Sequence, residues 1–162
     1  MDEAAIIAYI TTAFDGVDAV TASQETGAPE VAWGDTFFFY NPERSPSNQM
    51  FPFATIVTKD YGDFDAASNL NRPGIFRLNI GVSPKTYGAH FGPPPRGGAT
   101  VSATDYDFTA LDRLLPHPVY APQSWVCVLS PGRETFETII QPLLAEAYER
   151  AAGSSARRAE PT

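Results

Sequence analysis

Residues 74–82 read Gly74-Ile75-Phe76-Arg77-Leu78-Asn79-Ile80-Gly81-Val82. Phe76, Leu78, Ile80 and Val82 alternate with Ile75, Arg77, Asn79 and Gly81, the two-residue period of a β-strand with one apolar face. That face predicts contact with the core. The other carries an arginine and an asparagine in mid-strand. An arginine turned inward needs a carboxylate partner, or a ligand it grips with two nitrogens.

The flanking sequence supplies neighbours for this strand. Phe53 to Lys59 (FATIVTK) and Val31 to Tyr40 read as strands, the latter containing Trp33 and the run Phe37-Phe38-Phe39-Tyr40. The polar stretch Asn41 to Gln49 joins them as a hairpin loop. Residues 17–22 are a short β-prone segment and Trp125 to Leu129 a short apolar strand. Helices are expected at both ends. Residues 3–14 carry an apolar stripe of Ile6, Ile7, Ile10, Ala13 and Phe14. Residues 135–151 place Phe136, Ile139, Ile140, Leu143 and Leu144 inward. Pro142 interrupts that last pattern and predicts a kink or a new helix start. Ser83-Pro84 is a helix-start signature for a helix to about Phe91. Short helices are also expected around Ala66 to Leu70 and from Asp107 to Leu115. Pro93 to Gly98 reads as loop, and Gly153 onward as a disordered tail. The expectation is one α+β domain over residues 3–152, with a tail at 153–162. Its single antiparallel sheet has about five strands, with the N- and C-terminal helices packed on one face.

Composition narrows the function classes. The chain has 162 residues, enough for one domain with a core. Its 43% hydrophobic and 19% charged content is that of a globular chain. Acidic residues number 19 against 11 basic, a net charge of −8, which opposes a phosphate backbone and makes nucleic acid an unfavourable partner. No apolar run reaches the roughly 20 residues of a membrane span. The acidic start Met1-Asp2-Glu3 differs from a basic secretory leader, so a cytoplasmic location is expected. One cysteine, Cys127, excludes an intrachain disulfide.

Three blocks carry a resemblance: residues 32–38 (AWGDTFF), residues 53–60 (FATIVTKD) continuing through residues 71–82 (NRPGIFRLNIGV), and residues 114–131 (LLPHPVYAPQSWVCVLSP). Together they resemble a family of small actinobacterial proteins known as domain of unknown function 6194, over about residues 3–151. More distantly, the tryptophan-bearing strand followed by a final helix with Ala147-Tyr148 is similar to the YjbR/MmcQ-type fold. That likeness implies a compact α+β domain, and DNA binding by analogy. Neither resemblance brings a catalytic residue with it.

Candidate chemistry rests on few side chains. His117 lies between Pro116 and Pro118 on a stiff backbone and suits a general base or a ligand donor near neutral pH. Its alternative is a packed histidine. Arg77, beside Asn79, is the strongest anion-binding candidate, with Lys59 as a second positive charge. Its alternative is a structural ion pair to Asp35, Asp60 or Asp65. His90 suits the C-terminal end of its helix as a cation. Asp60, Asp63 and Asp65 lack the spacing of a calcium loop, so no metal site is expected. Cys127 sits in an apolar strand as a small hydrophobe. Phosphate-loop, dinucleotide and nucleophile-elbow patterns are absent, and no cofactor is expected.

These residues favour a small-molecule-binding domain. Its pocket would lie on the Arg77/Asn79 face near Trp33, His117, Tyr120 and Trp125, with cofactor-free catalysis through His117 as an extension. The loop Pro93 to Ser102 has two readings, a passive connection, which is favoured, and a lid over such a pocket. Two alternatives are a homodimer formed through an exposed edge or aromatic face, and DNA binding by the wider fold analogy.

Overall fold

The structure is a computed structural model that describes residues 1–96, 101 and 104–159. Residues 97–100 and 102 of the loop read as a passive connection or a lid lie outside the described residues. Six strands form one sheet: β1 (Val17–Thr21), β2 (Thr36–Tyr40), β3 (Ala54–Val57), β4 (Arg77–Gly81), β5 (Leu114–Pro116) and β6 (Trp125–Leu129). Their order is β1-β2-β3-β4-β6-β5 and every pairing is antiparallel. The sequence suggests about five strands. The sixth is β5, in a segment expected to be helical. Asp107 instead closes a local turn by accepting from Thr109 N and Oγ1. Asp112 adopts a left-handed φ of 57° that helices exclude. Pro116 then fits the outermost strand of the sheet, where a missing N–H costs least.

The register sorts residues onto two faces. Phe38, Ala54, Ile56, Leu78, Ile80, Val126 and Val128 share one. They join the main core with Ile6 and Ile10 of α1 (Glu3–Ala13), Tyr87 of α2 (Pro84–Phe91) and residues of the C-terminal helix. Asp2 caps α1 by accepting from Ala5 N, and Ser83 caps α2 by accepting from Thr86 N.

Pro142 leaves its mark on the C-terminal helix. A short α-helical turn, α3 (Arg133–Thr135), passes into a π-helical stretch Phe136–Ile140 and then into α4 (Gln141–Ala159). Proline at 142 has no N–H to give the carbonyl four residues back, and its ring crowds that carbonyl. The wider π turn just before it gives the ring room without a break in the helix. Phe136, Ile140 and Leu144 therefore all stay in one core. The helix also runs to Ala159, past the end near Ala151 that its apolar pattern suggests. Alanine and arginine are strong helix formers, and Arg157 Nη2 donates to Ser154 Oγ at 3.2 Å.

Two other expectations change. The strand expected from Val31 starts at Thr36, because Glu30–Ala32 forms a 3₁₀ turn. The helix expected at Ala66 to Leu70 is a loop instead. Asp60 Oδ1 accepts from Leu70 N, Asn71 Oδ1 accepts from Asp60 N, and Asn69 takes a φ of 50°. Side-chain clamps at both ends thus replace helical hydrogen bonding. This loop covers part of the second face of the sheet, where Val57, Leu115, Cys127 and Leu129 pack with Leu70 in a smaller cluster. No helix among the described residues is long and apolar enough to cross a membrane.

Candidate functional site

Within the second face, Arg77 is 1% exposed and fully engaged. Nη1 and Nη2 donate to Asp65 Oδ1 and Oδ2 at 3.0 and 2.6 Å, Nη1 also to Ser68 Oγ at 2.9 Å, and Nε to Asn79 Oδ1 at 2.8 Å. Asn79 Nδ2 passes on to Thr55 Oγ1 at 3.0 Å. Burial, the largest influence, works against the Arg77 charge, but the Asp65 hydrogen bonds and the surrounding negative charge together outweigh it, and the pKa is held above its ordinary value. Asp65 thereby ties the 60–71 loop to that guanidinium.

His117, 2% exposed, completes the cluster. Its Nδ1 accepts from Val119 N at 3.0 Å and Tyr120 N at 2.9 Å, so the ring proton of the neutral form resides on Nε2. Nε2 stands 3.3 Å from Arg77 Nη2, one proton-bearing nitrogen facing another. Burial first, and the Arg77 charge second, hold the pKa well below 6.5, so the ring is neutral. In this arrangement His117 fixes the Pro118–Tyr120 turn and offers no lone pair to a substrate. Tyr120 packs on it with ring centroids 4.9 Å apart. Cys127 lies on the same face, and burial pushes its thiol up to about 12.

Trp33 and Lys59 lie apart from this cluster, beside Asp35. Lys59 Nζ donates to the Trp33 carbonyl, and Trp33 Nε1 to Ala28 O at 2.9 Å. Asp35 is fully buried and accepts from Thr58 N, Thr58 Oγ1 and the Tyr61 hydroxyl. Burial first, then the bond to Asp35, pushes the Tyr61 pKa up. Sequence reasoning missed Tyr61 and Asp35 as a pair, since nothing in their 26-residue separation links them.

Trp125 lies elsewhere again, paired with Gly81 at the far end of β4 from Arg77. A side-chain carbon on Gly81 would come to 3.0 Å from the indole, so glycine lets the ring lie against the strand without being displaced. Here, where the sheet ends beside α4, a groove of about 580 Å³ opens. Trp125, Tyr40, Met50 and Phe51 supply its apolar surface, and Arg150, Ser154 and Arg158 line it from α4.

The loop carrying Met50 and Phe51 is anchored from below. Asp18 on β1 accepts from Asn41 Nδ2 and Gln49 Nε2, both at 2.9 Å, and from Arg44 Nη1 at 3.1 Å. Asn41 Oδ1 takes Ser45 N and Asn48 Nδ2 in turn. Met50 and Phe51 are nonetheless 70% and 78% exposed. A fastened loop presenting two large apolar side chains to solvent is unusual for a passive connection.

The sequence-derived candidates thus fall in three places: Arg77, Asn79, His117 and Tyr120 together, Trp33 with Lys59, and Trp125 in the groove. The acidic segment is divided as well, with Asp60 holding the loop and Asp65 holding Arg77. Among the described residues no three His, Cys, Asp or Glu side chains gather as a metal site.

Fold and groove define a class: a single-sheet antiparallel α+β domain, helices over one face, a hydrogen-bonded polar cluster buried on the other and an open cleft at the sheet's end. Within that class, the model of a family described as family of unknown function (DUF6194) matches residues 1–160, and the chain belongs to that family. No curated protein and no solved structure matches it.

Proposed function

We propose that the protein binds a small molecule, and that the site is the groove between α4 and the loop carrying Met50 and Phe51. The observation that carries this is the fastened yet solvent-facing pair Met50 and Phe51 beside Trp125. Exposed apolar surface in a concave setting is what a ligand covers, and about 580 Å³ falls in the range of small-molecule sites. Arg77 and His117 act as support in this reading, since the Arg77 donors and the His117 Nδ1 lone pair are spent within the protein.

The test is a thermal-shift screen against a metabolite library. A ligand at a hundred times its Kd adds about 2.7 kcal/mol, which raises the midpoint by roughly 5–10 °C in a domain of this size. The shift is expected to vanish in Gly81→Val, which drives a side chain into the Trp125 ring. A ligand whose shift survives Gly81→Val, or a silent screen, refutes the groove as the site.

A further inference from the structure

Arg150, Ser154 and Arg158 stand four residues apart on α4 and form one line along the helix face that meets the groove. The two arginines are separated by about 12 Å of helix, so a ligand lying along the groove meets a guanidinium at each end. Arg157 Nη2 bonds to Ser154 Oγ, which brings a third guanidinium to the rim. This cationic line belongs to a chain of net charge −8. Among the described residues Arg44, Arg77 and Arg133 each have a carboxylate partner, whereas Arg150 and Arg158 have none. The opposite surface is Met50, Phe51 and Trp125, and an indole beside a groove offers a flat face for a ring.

We infer that the groove's ligand is an aromatic anion. Its ring packs against Trp125 and Phe51, and a carboxylate, sulfonate or phosphate group is held by Arg150 or Arg158, according to which way the ligand lies. This rests on the groove being the ligand site. An inorganic anion would leave the aromatic surface unused, and a neutral ring would leave the guanidinium groups without a partner.

Two fluorescent probes that share a ring system and differ in charge provide the test: 1-anilinonaphthalene-8-sulfonate, an anion, and N-phenyl-1-naphthylamine, which is neutral. The chain has two tryptophans, so a Trp33→Phe background, excited where tyrosine does not absorb, leaves Trp125 as the sole donor, and its energy transfer reports a probe near the groove. The anion is expected to bind more tightly, to weaken as salt rises, and to lose about tenfold in affinity in the Arg150→Ala/Arg158→Ala variant. The neutral probe should hold its affinity there. If the anion binds no more tightly than the neutral probe and the arginine variant changes nothing, the aromatic-anion assignment is overturned while the groove stands. Energy transfer to neither probe overturns both. Both arginines are exposed, so the variant should keep its thermal transition. Should it not, the Arg150→Lys/Arg158→Lys and Arg150→Gln/Arg158→Gln pairs make the same comparison, and equal affinities across them refute the assignment.

Discussion

Arg77 and the pair Arg150 and Arg158 are the same residue type under opposite conditions. Arg77 is buried against the second face of the sheet, and its donors meet Asp65, Ser68 and Asn79. Arg150 and Arg158 stand in the open beside aromatic surface and, among the described residues, share no ion pair. Burial forces a guanidinium to be satisfied within the protein, because the desolvated charge is otherwise too costly. Exposure lets it remain available. The contrast teaches that the arginine most conspicuous in a strand pattern is the one least free to meet a ligand.

The sharpest way to break this contrast is Arg77→Met. It removes the partner of Asp65 and should cost about 3–5 kcal/mol, read as a lowered urea midpoint. Adding Asp65→Leu should recover most of the loss, since an apolar pair of similar volume replaces a buried ion pair at little net cost. A loss under about 1 kcal/mol from Arg77→Met would mean that the cluster is wet, and the distinction between the two regions would fall.

A smaller effect joins the regions. Asp18→Ala takes the shared acceptor from Asn41, Gln49 and Arg44 and should cost about 1–3 kcal/mol. Its second readout separates fastening from general stability. Loosening the 41–53 loop should weaken probe binding in the groove, whereas Arg77→Met should leave binding alone at temperatures where both variants are folded. Equal binding in Asp18→Ala and the parent chain would show that the anchor and the groove are independent.

The strand pattern made much of the fold legible. Alternation in residues 74–82 identifies β4 and its core face, and Ser83-Pro84 marks the start of α2. Pro142 announced an irregularity, though not its form, because a π turn depends on how far the flanking core residues can shift. Length misled at β5, which has three residues and holds its place only through pairing with β6. The site was harder to foresee. Arg77 and Asn79 are visible as polar residues in an apolar strand, and the partnership with Asp65 was one of several open alternatives. The groove was illegible except for Trp125. Arg158 falls in the stretch expected to be a disordered tail, Arg150 carries no pattern of its own, and Met50 and Phe51 follow a polar loop that gives no hint of its anchor on Asp18. Residues brought together by tertiary packing leave no local pattern when each is unremarkable alone.

The finest test of the contrast is pH, because His117 titrates only if the buried region opens. Its folded pKa is depressed, so the unfolded chain takes up a proton below about 6.5 while the folded ring stays neutral. The stability from this group is fully present above 6.5. It is lost as pH falls from there toward the folded pKa, with a slope approaching about 1.4 kcal/mol per pH unit for one proton. His117→Asn keeps an acceptor near the position of Nδ1 for Val119 N and Tyr120 N but cannot take the proton. Its stability should therefore change less between pH 7.5 and 5.5, the difference from the parent isolating this ring. If His117→Asn has the same pH dependence as the parent, the imidazole is solvated in the folded state. The buried region would then be as open to solvent as the groove.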